Sequence, residues 1–312
     1  MAKQTSSFRH KSFRRSYKED YWRETKLPSV MQHVLESFRM IFKNWRLFLP
    51  LVLIAVLLQM LFVGVMSEAS YVELQESLDG STAGFGKASL LLFSVVGTLG
   101  TTGEAAGATI VFQALIFLVV FLTTIFILRF LLAKKKITLR DALYNSMAPT
   151  IPTAILLAVV MIECIPIIIL TIAYAAAVQT DFLTMPFYAL LFLGFAALML
   201  LISGYLLSSS LMAFVAVSAP GMYPLRALNL AADLMRGRRM NLIIRLLALI
   251  LVVVIMWIIV TLPLILLDLA VKNAGFLTMV PFIPIVLMVM MSFTDVLVTT
   301  YLYMYYRWLL DN

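Results

Sequence analysis

At 312 residues, 62% hydrophobic and 13% charged, this chain carries more apolar surface than a water-soluble globule can hide, since ordinary domains run near ~25% charged. Its net charge of +8 does not point to nucleic acid, because the cations are sorted along the chain rather than pooled in one patch. A single cysteine, Cys164, excludes an internal disulfide and a thiolate metal site.

Residues 1–28 mix Arg9, Lys11, Arg14, Arg15, Lys18, Arg23 and Lys26 with Ser and Tyr, and hold too little apolar content to fold alone. They read as a disordered basic tail, an orientation signal that also touches anionic lipid headgroups at about 1 kcal/mol per cation. No cleavable signal peptide is expected, because the first apolar run follows this segment and is long enough to stay as an anchor. Next, Met31, Leu35, Phe38, Phe42 and Trp45 recur at steps of four and three behind a Ser29 to Gln32 capping box. That pattern predicts an amphipathic helix lying along the membrane surface on this apolar stripe.

Six apolar stretches, 48–66, 110–132, 151–178, 185–217, 242–269 and 276–305, approach or exceed the roughly 20 residues that a helix needs to cross a bilayer. None shows the alternation of a β-barrel strand. The loop 67–109 is acidic through Glu68, Glu73, Glu76, Asp79 and Glu104, and its short apolar piece at 89–97 reads as interfacial or re-entrant. Two later connectors resemble the first. Thr138 with Asp141 caps a helix carrying Leu139, Ala142 and Leu143, and Pro224 opens one carrying Leu225, Leu228, Ala232 and Met235. Each odd-numbered span is thus expected to follow an amphipathic surface helix, so the chain looks like three copies of surface helix plus transmembrane hairpin. Leu139-Arg140 recurs as Leu225-Arg226, and Pro166 and Pro263 interrupt the third and fifth spans, yet no span combines Gly and Pro at its middle as midplane substrate sites require.

Of 24 Lys and Arg, all but Lys87 and Lys272 fall in the N-terminal segment, the connectors 133–150 and 218–241, or their borders. By the positive-inside rule those segments and both termini lie in the cytoplasm, which an even number of spans requires. The sequence therefore predicts an all-α polytopic protein: a tail over 1–28 and one six-helix domain over 29–312, in a bacterial cytoplasmic (inner) membrane.

The run Pro224-Leu225-Arg226-Ala227-Leu228 through Met235-Arg236-Gly237-Arg238-Arg239, entering a span interrupted at Pro263, resembles bacterial proteins related to the membrane domain of glycerophosphoryl diester phosphodiesterases. The closing Tyr301-Leu302-Tyr303-Met304-Tyr305-Tyr306-Arg307 resembles their tail. The resemblance implies a membrane domain alone, because the soluble catalytic domain of those enzymes has no counterpart in this chain.

Carboxylates inside spans cost at least ~2.5 kcal/mol each, so Glu163 and Asp295 ask for a reason. Glu163 lies about 18 Å in from residue 151, too deep for a short side chain to reach the interface, with Pro166 freeing the carbonyl of Ile162 nearby. Asp295 belongs to a stripe with Ser292, Thr299 and Tyr303 expected to face the bundle interior, and Arg129 and Arg245 are long enough to reach it. Ser203, Gly204, Ser208, Ser209 and Ser210 read as small residues for close helix approach whose hydroxyls bond back to their own turn. Arg226, Arg236, Arg238 and Arg239 form a surface for anionic lipid or a soluble protein partner. The two histidines, His10 and His33, stand far apart, and no phosphate loop or nucleophile elbow is present. No cofactor, metal or nucleic acid is expected. The sequence favours a non-catalytic scaffold or accessory subunit; the alternative is a proton-coupled secondary transporter using Glu163 and Asp295.

Overall fold

A computed structural model describes residues 29–62, 106–180, 185–219, 221–271 and 282–311. The basic tail, Lys87, Lys272 and the 89–97 segment lie outside them. Among the described residues the regular elements are all helices: α1 Val30–Lys43, α2 Trp45–Phe62, α3 Ala106–Leu132, α4 Leu139–Ser146, α5 Thr150–Glu163, α6 Ile165–Gln179, α7 Pro186–Val217, α8 Pro224–Leu234, α9 Arg239–Val271 and α10 Phe282–Asp311. Six candidate spans are long and apolar enough to cross a membrane: α2, α3, the α5–α6 pair, α7, α9 and α10. This is a multi-pass helical architecture.

The short helices start where the sequence places their caps. Ser29 and Gln32 exchange side-chain and backbone hydrogen bonds of 3.3 Å each, closing the capping box of α1. Thr138 accepts from the Asp141 N–H at 3.3 Å, and Pro224 takes the first turn of α8. Asn44 separates α1 from α2: its side chain donates to the Met40 carbonyl at 2.9 Å, and its own carbonyl accepts the Leu47 N–H of the first turn of α2 at 2.9 Å.

α3, α10 and the last part of α7 form the core, with α2 packed on α3 and α10. Each short helix folds back along a span: α4 along α3, α8 along α7, and α1 along α10. In the last case the contacts with α10 are extensive. His33 touches Tyr301 and Tyr305, Ser37 reaches the Met304 sulfur at 3.7 Å, and Phe38 and Phe42 meet Phe293. Those contacts run over twelve residues of α10, about 18 Å.

On α1, Met31, Leu35 and Phe42 are exposed, as is Trp45 at the start of α2, while His33, Val34, Ser37 and Ile41 are buried against the bundle. The stripe that periodicity marks as apolar therefore points outward, as it does on a helix whose outer solvent is lipid. A one-residue offset, about 100° around the helix, separates the two stripes.

α7 shows two zones. Large apolar side chains are exposed from Phe187 to Leu206, 20 residues or about 30 Å, which is the thickness of a hydrocarbon core. From Met212 to Val217 every side chain is at most 4% exposed, enclosed by neighbouring helices of the core. Phe121 and Phe214 stack edge to face there with centroids 5.1 Å apart.

Candidate functional site

The third span is broken beside its acid. α5 ends at Glu163, α6 begins at Ile165, and Pro166 follows in the first turn of α6 with no N–H to give the Ile162 carbonyl. The amides of Ile167 and Ile168 both turn to the Cys164 carbonyl, at 3.0 and 3.1 Å. The Glu163 carbonyl loses its usual Ile167 donor, and the Ser203 hydroxyl of α7 donates to it instead at 3.2 Å. The third span is thus interrupted beside Pro166, as its sequence leads one to expect, whereas α9 runs unbroken through Pro263; at Pro166 one missing N–H and one compensating hydroxyl suffice, without glycine.

The Glu163 carboxyl reaches the same neighbour. Ser210 donates to its Oε1 at 2.6 Å, while Oε2 is buried with no hydrogen-bond partner among the described residues. Helical side chains lean toward their own N-terminus, which carries this carboxyl from the level of Ser203 toward Ser210. On α7 that level is the lower boundary of the exposed apolar belt. Ser208 and Ser209 do bond back to their own helix, at the carbonyls of Tyr205 and Leu206. Ser203 and Ser210 do not. Their separation of seven residues, two helical turns, places them on one face, and that spacing is the signal a sequence reading needs to find them. Gly204 is not a close-approach position either: a Cβ there would meet only Ile243 Cδ1, at 4.0 Å.

Asp295 is half-buried on α10, between the buried Ser292 and Thr299, and its backbone carbonyl accepts the Thr299 hydroxyl at 2.6 Å. The Ser292 hydroxyl has no partner among the described residues. Arg129 donates to the Ser218 carbonyl at 3.3 Å, and Arg245 lies over the Tyr305 ring at 5.4 Å. Neither of those contacts is with Asp295. Glu163 is held by Ser203 and Ser210 of α7, whereas the hydrogen bond at Asp295 is made within α10, so the hydrogen-bond partners named for the two acids share no residue.

Of the four connector arginines, Arg226 and Arg236 are exposed. Arg239 instead stacks its guanidinium over Tyr205 at 4.1 Å from the ring centroid. α8 folding back along α7 delivers it there, since Gly237 at φ 76° turns the chain directly into α9. Tyr205 lies between Ser203 and Ser210, so Glu163 and Arg239 contact the same two turns of α7.

A second polar cluster escaped the sequence reading. His33, Arg245, Tyr301 and Tyr305 are all at most 4% exposed. The His33 Nε2 lies 3.4 Å from the Tyr301 carbonyl, its ring meets Tyr301 edge to face at 4.7 Å, and the Tyr301 hydroxyl donates to the Arg245 carbonyl at 3.4 Å. Burial pushes the His33 imidazole below its ordinary value; the Tyr301 carbonyl and Glu36 oppose this and Arg245 adds to it. Only the third dimension joins residues 33, 245 and 301, so no local signal announces them.

No protein-family model, no curated protein and no solved structure matches this chain.

Proposed function

We propose that this protein is a non-catalytic scaffold or accessory subunit of a bacterial cytoplasmic membrane, with both termini and the basic connectors on the cytoplasmic side. The carrying observation is that its interior polar groups join helix to helix. Glu163 is held by Ser203 and Ser210, Arg129 by the Ser218 carbonyl, Trp257 donates to Thr294 at 3.1 Å, and Thr123 pairs with Ser146 at 3.0 Å. In lipid, where burial gives no hydrophobic drive between helices, such bonds and close packing hold a bundle together. Three amphipathic helices docked on three spans, in the order of a repeated unit, give that bundle an inner layer through which lipid headgroups or a soluble partner are met. The sequence resemblance to the membrane domain of glycerophosphoryl diester phosphodiesterases fits this reading.

A second reading, proton-coupled transport, is favoured by one observation: Glu163 sits at a helix break with Oε2 lacking a hydrogen-bond partner among the described residues. Glu163→Gln in proteoliposomes carrying an internal pH dye separates the two. Transport requires a proton flux that the variant abolishes while the melting temperature stays put. The scaffold reading expects no flux in either protein and a lower melting temperature for the variant.

A further inference from the structure

An open groove of about 500 Å³ lies between α2 and α4, lined by Ile54, Leu139, Arg140, Leu143 and Tyr144. Its volume falls in the ~300–1,000 Å³ of small-molecule sites, and its lining is apolar except for the Arg140 guanidinium and the Tyr144 hydroxyl. Ile54 belongs to α2, on which Leu49, Leu53, Leu57 and Leu61 are exposed at a spacing of four, a face offered to lipid. Arg140 belongs to the connector 133–150, which carries Lys134, Lys135, Lys136 and Arg140 against one acid, Asp141. The Asp141 carboxylate accepts the Thr138 hydroxyl at 2.5 Å, which commits it to the helix cap.

We propose that this groove binds one anionic phospholipid of the inner leaflet, its acyl chain along Ile54, Leu139, Leu143 and Tyr144 and its phosphate on Arg140. The occupant must be amphiphilic, because the groove is apolar and its mouth is cationic. It must be anionic, because four cations against one committed carboxylate leave the connector with a net positive field. The site rests on the bundle being embedded with the Lys134 connector inward, not on the scaffold reading, and it is separate from the Arg226 to Arg239 surface. Exposed tyrosine suits its rim: Tyr144, 83% exposed, presents an apolar ring beneath a polar tip, as residues at headgroup level do.

Native mass spectrometry of the purified full-length protein, with phosphatidylglycerol or phosphatidylcholine of identical chains, tests this. Wild type is expected to retain one phosphatidylglycerol and to release phosphatidylcholine. Arg140→Glu is expected to lower that retention about thirtyfold, from roughly 1 kcal/mol for the charge lost and as much for the charge gained. Leu143→Trp, which fills the groove, is expected to abolish it, whereas Arg236→Glu leaves it unchanged. Should Leu143→Trp fail to fold, Tyr144→Glu at the exposed rim reads the same groove. Equal retention of the two lipids, no effect of Arg140→Glu, or displacement of the lipid by inorganic phosphate at equal concentration overturns the proposal; flotation with vesicles reports membrane embedding independently.

Discussion

The Ser210 hydroxyl donates to Oε1 of Glu163 across 2.6 Å, two turns along α7 from the Ser203 hydroxyl that takes up the Glu163 carbonyl. One helix thus holds both ends of one residue, at the point where the neighbouring span breaks. Ser210→Ala leaves a buried carboxyl without its donor, a loss of about 1–3 kcal/mol. A lower melting temperature in detergent is the expected outcome. Ser209→Ala, which removes only a bond within α7 to Leu206, is expected to leave it unchanged.

The docking of α1 is expected to depend on pH through His33. Burial holds its pKa in the docked state below the ordinary histidine value of 6.5, so the undocked helix binds a proton more readily. Docking is at full strength above pH 6.5 and weakens as pH falls from there toward the depressed value. Around the ring stand Tyr301 and Tyr305 from α10, Arg245 from α9 and Glu36 from α1 itself. Hydrogen exchange of the α1 amides should be faster at pH 5 than at pH 7.5. His33→Gln should flatten that difference.

Lys134 occupies a left-handed position, φ 56°, at the end of α3, where the Lys135 N–H reaches the Phe130 carbonyl at 3.0 Å. A side chain there costs roughly 1–2 kcal/mol that glycine avoids. Lys134→Gly is therefore expected to raise the melting temperature, and Lys134→Val to lower it.

Gly204→Ala is expected to be tolerated. Nothing but Ile243 Cδ1, at 4.0 Å, stands where the methyl would go, and alanine gains up to ~1 kcal/mol of helix propensity over glycine. A melting temperature at or above that of wild type is the outcome; a clear fall would mean that α9 approaches α7 more closely at Gly204.

Spans and caps were legible in the sequence because both are local. Twenty apolar residues or a Ser-x-x-Gln pattern carries its own signal, and the Ser29, Thr138 and Pro224 helix starts stand where those patterns put them. Facing directions were not. Periodicity locates a stripe, but lipid and protein are both apolar surroundings, so it could not tell that His33, Val34, Ser37 and Ile41 are the residues buried against the bundle. For Glu163 the need for a partner was legible from the cost of a buried carboxylate, whereas its identity depends on how α5 and α7 are set in register. Asp295 illustrates the converse: Arg129 had the reach, but the Ser218 carbonyl lies where α3 brings it first.

The account stands on a membrane-embedded bundle whose basic connectors share one side. Replacing the sole cysteine, Cys164, with alanine and placing a single cysteine at Lys136 or Arg236 allows each connector to be probed with an impermeant maleimide in intact cells. Both positions are predicted to stay unlabelled until the cells are opened, and to react fully afterwards. Labelling of either one from the outside would contradict the topology, and with it the placement of the Arg140 groove and the Arg236 surface on the inner leaflet.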